Sequence, residues 1–161
     1  MIPIVSIVGW SDSGKTTYLE KLIPELTGRG YRICAVKHDV HGFEIDTPGK
    51  DSWRLKRAGA AVSVVSGPER IAVVADTGRD LTLSEIRERF ISDVDIIVSE
   101  GFKKDIHPKI EVFRKGVRDM LLCTAADGLI AVAADCPIAA EAPVIDLDDV
   151  AAMADLIEKA V

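Results

Sequence analysis

Short unbroken apolar runs alternate along the chain with stretches whose apolar residues return every three or four positions. The first pattern belongs to buried strands, the second to helices packed by one face. Ile4–Val8 is the first run. Tyr18, Leu19, Leu22, Ile23 and Leu26 then repeat at helical spacing, which predicts a helix over residues 16–29, ended by Gly28 and Gly30 and bent or weakened at Pro24. Residues 31–36 predict a second strand, closed by Lys37 and His38. Strand, helix, strand implies a parallel pair joined by a right-handed crossover.

Asp51 and Ser52 are the predicted cap of a helix over 53–58 that Gly59 terminates. Two β-rich runs, 61–66 and 71–75, are joined by Gly67-Pro68-Glu69, a link so short that only an antiparallel hairpin fits it, so the predicted sheet is mixed. Thr82 and Glu85 have capping-box spacing for a third helix ending near Phe90. Residues 94–98, 109–113, 129–134 and 144–146 are further strand candidates, and a last helix, capped by Asp146 or Asp148, runs to about Lys159. The reading is one α/β domain over residues 1–161: a mostly parallel mixed sheet with helices on both faces and one antiparallel hairpin.

The turn after the first strand changes the picture from fold to chemistry. Gly9-Trp10-Ser11-Asp12-Ser13-Gly14-Lys15-Thr16 has the GxxxxGKT spacing of a P-loop, with a strand before it and a helix after. Such a loop turns successive backbone N–H groups into one hollow, to which the helix N-terminus adds partial positive charge. Lys15 is the residue that reaches the β- and γ-phosphates, Thr16 offers its hydroxyl to Mg²⁺, Thr17 is a candidate α-phosphate contact, and Gly9 and Gly14 permit backbone that a Cβ would obstruct. A second motif is the run 94–101, an apolar strand with Glu100 at its carboxyl end and Gly101 after it, the Walker B form. Ligands of open α/β sheets lie beyond the carboxyl ends of the strands, which puts Glu100 near the P-loop and Mg²⁺.

Composition narrows the classes. With 161 residues, 48% hydrophobic and 29% charged, the chain has the size and make-up of one soluble domain. A net charge of −6 and the lack of a Lys/Arg stripe argue against a nucleic-acid partner. No run reaches membrane-spanning length and the apolar start lacks a basic flank, so a cytoplasmic protein without a membrane partner is expected. Cys34, Cys123 and Cys136 are odd in number and set among apolar residues, which suits reduced thiols.

Residues 37–50 form the longest polar connection and follow the carboxyl end of a strand, where functional loops concentrate. Asp46 or Asp39 in it is a further candidate for reaching the ion or its waters, making the loop a candidate γ-phosphate sensor. Guanine readers of the Asn-Lys-x-Asp type are excluded because the chain has no asparagine. A carboxylate at the end of a late strand can replace that device: Asp135 would accept from guanine N1–H and the exocyclic amine, with Asp127 the weaker alternative. The residues alone leave GTP and ATP both open, and with them a small-molecule kinase using either, in which Arg54, Arg57 or Lys103 clamps the acceptor.

Taken together, the P-loop with its flanks, the loop from Lys37 through Lys50 to Ser52, Ala58-Gly59-Ala60, Ser99-Glu100-Gly101-Phe102-Lys103 and Ala133-Ala134-Asp135 resemble the MobB family of molybdopterin-guanine dinucleotide biosynthesis proteins over nearly the whole chain. The resemblance implies a GTP-binding, weakly hydrolysing homodimer that assists a MobA-type guanylyltransferase in attaching GMP to molybdopterin. It also implies phosphate binding by Gly14, Lys15, Thr16 and Thr17, and service to Mg²⁺ by Glu100. Asp12 and Ser13 depart from the small residues or glycine more usual there, and Asp12 is expected to face solvent.

Overall fold

The computed structural model describes residues 1–161. Their contacts divide into two compact units, one of Met1–His38 with Thr82–Val161, the other of Asp39–Leu81. The first contains strands β1 (Ile4–Val8), β2 (Ile33–Lys37), β5 (Ile96–Glu100), β6 (Lys109–Phe113), β7 (Leu129–Ala134) and β8 (Val144–Asp146), with helices α1 (Lys15–Gly28), α3 (Leu83–Phe90) and α4 (Val150–Ala160). The second contains α2 (Asp51–Arg57), β3 (Val62–Ser66) and β4 (Ile71–Ala75). No helix is long and apolar enough to cross a membrane.

In the first unit six strands form one sheet in the order β2-β5-β1-β6-β7-β8, every neighbouring pair parallel. Both faces are covered, which is why β1 is apolar at every position but Ser6, whose hydroxyl accepts from Ser99 Oγ at 2.9 Å, rather than alternating. Val5 and Ile7 pack with Tyr18, Leu22 and Leu26 of α1 and with Met153 and Ile157 of α4, whereas Ile4 packs with Ile97, Leu83 and Phe102 on the opposite face. Each such aliphatic side chain withdrawn from water contributes about 1.5–3 kcal/mol. The burial fixes the frame from which the loops project.

The helix ends follow local chemistry. α1 stops in a Schellman arrangement: the Gly30 amide donates to Thr27 O and the Tyr31 amide to Leu26 O, with Gly30 at φ +99°. Pro24 lies inside α1 at an exposed position, so the helix continues and the Glu20 carbonyl that loses its amide donor is on the solvent side. The Thr82–Glu85 capping box forms as the spacing predicts. At α4 the cap is Asp149, which accepts from the Ala152 amide at 3.0 Å, because Asp146 is occupied by the Asp148 amide and Asp148 by Lys21. α2 begins at Asp51 after Lys50 without a side-chain cap; Asp51 instead places its charge in the first turn, where it favours the helix dipole.

In the second unit β3 and β4 pair antiparallel, from Val62 opposite Ala75 to Ser66 opposite Ile71, as the short link requires. The pair stands as a sheet of its own instead of extending the parallel one, so the antiparallel element is separate from an otherwise uniform sheet. Lys56 of α2 pairs with Asp76 at 2.6 Å, and the Ser63 hydroxyl donates to Ser52 O. Ile45, Leu55, Val64 and Val74 help line a groove of about 670 Å³ within this unit. Val62, Val64, Val65, Ile71 and Val73 are about half or more exposed, an apolar surface that a two-stranded sheet cannot bury by itself.

Candidate functional site

The P-loop leaves β1 at Gly9 and enters α1 at Lys15. Gly9 has φ +145°, and a Cβ there would lie 2.6 Å from the Val112 carbonyl oxygen and 2.7 Å from the Ser13 hydroxyl, so no other residue fits without moving backbone. Gly14, at φ +87°, holds the N-cap position. Ser13 is buried and its hydroxyl has no hydrogen-bond partner; Asp12, at φ +64°, is exposed, as are Ser11, Thr16 and Thr17. The loop is therefore a backbone cradle whose shape depends on two glycines.

Lys15 Nζ donates to the loop's own carbonyls, Gly9 O at 3.1 Å and Trp10 O at 2.8 Å. Burial holds its pKa below the ordinary lysine value; Glu100 and Asp12 pull it back up, and the positive charge of Lys37 adds to the depression. Glu100 ends β5, beside β1, and its Oε2 accepts from Thr16 Oγ1 at 2.7 Å while Oε1 lies 3.8 Å from Lys37 Nζ. A hydroxyl and a carboxylate oxygen in contact at the mouth of a phosphate cradle are the hard oxygen donors that Mg²⁺ takes. The residues present thus fit a Mg²⁺–nucleotide: glycines that keep the cradle open, a lysine in its wall, and two oxygen ligands beside it.

Supports that the sequence did not reveal surround the loop. Arg114, one residue beyond β6, donates from Nε to Ser13 O at 3.2 Å and lies against Gly14. Trp10 Nε1 donates to Met120 O at 3.1 Å, and the Arg118 guanidinium sits 5.2 Å from the centre of the Trp10 ring. The loop following β6 therefore clasps the P-loop from one side. The sequence does not announce this role, because the partners are backbone carbonyls and a ring far away along the chain.

Asp135 follows β7, and its Oδ1 accepts from the Lys115 amide at 2.9 Å, which orients an exposed carboxylate beyond the carboxyl end of the sheet. Asp127, the weaker base-reading candidate, is instead consumed locally: its Oδ2 accepts from the Thr124 amide and hydroxyl at 2.9 and 2.8 Å, bonds that hold its pKa below the ordinary carboxylate value. Asp95, at the start of the β5 segment, accepts from the Arg32 amide at the opposite end of the strand from Glu100. Asp46 belongs to the second unit, has φ +97°, and accepts from the Thr47 amide at 2.7 Å; Asp39 accepts from the His41 amide at 2.9 Å. The first unit thus brings together Gly9 to Thr17, Glu100 and, unforeseen, Lys37 and Arg114.

The chain has counterparts among known proteins. A family model described as molybdopterin guanine dinucleotide synthesis protein B matches residues 4–135, which include the P-loop, Glu100 and Asp135. The chain belongs to the MobB family. It is 39% identical over 161 residues to the molybdopterin-guanine dinucleotide biosynthesis adapter protein of Escherichia coli (strain K12), covering 98% of this chain and 92% of that protein. The adapter protein of the same description from Haemophilus influenzae is 37% identical, with 98% and 88% covered. Among solved MobB structures, Bacillus subtilis MobB superposes with a TM-score of 0.78 at 30% identity, over 99% of this chain and 98% of that one. A crystal structure of molybdopterin-guanine biosynthesis protein B gives 0.71 at 31% identity, with 97% of each chain covered. The MobB fold thus extends over both units of this chain.

Proposed function

We propose that this MobB-family chain is a cytoplasmic, GTP-binding accessory protein of molybdopterin guanine dinucleotide biosynthesis that hydrolyses GTP weakly and acts with a MobA-type guanylyltransferase. The observation that carries the reading is the contact of Thr16 Oγ1 with Glu100 Oε2 at the mouth of the glycine cradle. The names of its relatives, biosynthesis adapter proteins, support the pathway and the accessory role. A homodimer is part of the proposal, and the exposed valines and isoleucine of β3 and β4 support it, since a second copy would remove that apolar surface from water.

The residues divide the work. Backbone amides of the loop, those of Gly14 and Lys15 among them, donate to the phosphates, Lys15 neutralises them, and Asp135 reads the base. Thr16 and Glu100 would hold Mg²⁺, which when bound offsets phosphate charge. None of these is a positioned base for the attacking water, and Arg114 is turned to the loop's own backbone through its bond to Ser13 O. Turnover is accordingly slow, as intrinsic phosphoryl transfer is without such groups.

Calorimetric titration with GTP and ATP in Mg²⁺ tests the reading. GTP is expected to bind at least about tenfold more tightly, and Asp135→Ala to erase most of that preference, because a carboxylate that hydrogen-bonds guanine leaves adenine unpaired. Product formation by a guanylyltransferase should rise when the protein is added. Rapid phosphate transfer to a small acceptor with no partner present would replace the accessory reading by that of a kinase.

A further inference from the structure

Lys37 closes β2 directly opposite Glu100 in the parallel register, and the adjoining backbone is tightly held. The His38 amide donates to Glu100 O at 3.0 Å, and the His38 ring stacks on Phe102 with centroids 4.5 Å apart. A Cβ on Gly101, which has φ +97°, would come within 3.2 Å of His38 Cβ, and Phe102 itself sits at φ +54°. Two successive left-handed residues, one of them not glycine, are a cost that surrounding contacts must hold in place. They fix where the Lys37 side chain starts.

The rest of that side chain reaches into solvent. It is 63% exposed, while Glu100 beside it is only 14% exposed, so in a rearrangement the ammonium swings and the carboxylate stays. Strand order supplies a direction. With the P-loop on β1 and Asp135 beyond β7, a nucleotide whose base lies at Asp135 extends its phosphate chain towards β5 and then β2. Strands are about 4.8 Å apart, so β2 lies about 10 Å from β1, a gap that a four-carbon stem narrows greatly. The Lys37 charge is already felt at Lys15.

We propose that Lys37 is a second phosphate-contacting residue of this site: it partners Glu100 in the nucleotide-free protein and contacts the terminal phosphate of a bound nucleoside triphosphate, making the site sensitive to the γ-phosphate. This rests on the nucleotide-binding reading above. Were Glu100 to hold a metal ion, its claim on the ammonium 3.8 Å away would weaken, and a phosphate oxygen would compete for the same charge. Lys15 alone cannot distinguish the triphosphate from the diphosphate so sharply, because it reaches both the β- and γ-phosphates.

The test compares GDP with a non-hydrolysable GTP analogue by calorimetry in Mg²⁺, using wild type, Lys37→Met and Lys37→Arg. Methionine keeps the stem and removes the charge at an exposed strand end, and thermal unfolding of each variant verifies the fold. Lys37→Met is expected to weaken the triphosphate analogue by about tenfold or more and GDP by no more than about twofold, the loss appropriate to one charge-assisted contact. Lys37→Arg should restore most of the difference. Equal losses for both nucleotides, or no loss for the analogue, would overturn the proposal while leaving nucleotide binding intact. Wild-type protein that binds neither nucleotide would overturn the underlying reading and this proposal with it.

Discussion

Lys15→Ala is expected to weaken binding of GTP with Mg²⁺ by about 10²–10³-fold while leaving the fold standing. The ammonium lies in the cradle wall, donating to Gly9 O and Trp10 O. Those carbonyls are neutral acceptors, so exchanging them for two phosphate oxygens is a net gain in charge-assisted bonding. Each such bond is worth about 1.5–3 kcal/mol, so losing two removes about 3–6 kcal/mol; the two loop bonds given up on binding offset part of this and leave about 3–4 kcal/mol, the stated factor. The cost to stability is small by comparison. Lys15 is half-buried, its pKa is depressed chiefly by burial, and removing a charge that is poorly solvated offsets part of what the two loop bonds contribute. The melting temperature should therefore fall by only a few degrees. Calorimetry and thermal unfolding on one preparation separate the two effects. Affinity within about threefold of wild type in a folded variant would show that the phosphates are held elsewhere, since a single neutral hydrogen bond already accounts for about that factor.

How much of this site was legible in the sequence depends on where each residue finds its partner. Gly9, Gly14, Lys15 and Thr16 are readable because the loop's own spacing determines their geometry, and Glu100 because a strand end needs only a register to place it. β1, β5 and β7 were legible as apolar runs for the same reason: burial on both faces leaves no alternation to misread. The local capping box at Thr82 and Glu85 also needed no tertiary information. Asp149 was missed as a cap because three of the four residues from Asp146 to Asp149 are aspartates, and which of them faces the helix is decided by Lys21, more than a hundred residues earlier. The separate β3–β4 sheet escaped notice because a hairpin link fixes the pairing of two strands and says nothing of what lies at their edges. Lys37 looked like the polar end of a strand; only the pairing of β2 with β5 reveals that it adjoins Glu100.

β6 is the sharpest case. Its sequence, Lys109-Ile110-Glu111-Val112-Phe113, reads as an alternating strand with one polar face, yet Lys109 and Glu111 are both buried. Lys109 Nζ donates to the carbonyls of Asp105, His107 and Asp127, and the Glu111 carboxylate accepts from the amides of Leu122 and Cys123. Each charge is satisfied by the backbone of irregular segments. Both residues hold loops onto the sheet, and the loop held by Glu111 is the one whose Met120 carbonyl receives Trp10 of the P-loop. Fold and site are joined through that carboxylate.

Glu111→Ala is therefore expected to destabilise the protein by about 2–4 kcal/mol and to loosen the P-loop. Two amide donors, now bonded at 2.7 and 2.9 Å, would lose their acceptor in a buried place. An unsatisfied donor costs about 1–3 kcal/mol, and the vacated volume adds to that. Relief from burying a carboxylate acts the other way: burial pushes the Glu111 pKa above its ordinary value of 4.5, against the two amide bonds that lower it. That relief keeps the net figure below the simple sum. With about 2–4 °C per kcal/mol for a chain of this size, the melting temperature should fall by about 10 °C. The raised pKa also has a pH signature. The folded chain binds the Glu111 proton more tightly than the unfolded chain does, so this group's contribution to stability is greatest below pH 4.5 and declines as pH rises through the raised value. Glu111→Gln keeps one acceptor oxygen, should lose less stability than alanine, and should flatten that decline. Thermal unfolding of the three proteins across this pH range, with Trp10 fluorescence followed in a Trp53→Phe background, tests both parts. A melting temperature within about 2 °C of wild type for Glu111→Ala would mean that the Leu122–Cys123 amides find water instead, since a loss that small corresponds to less than one unsatisfied donor.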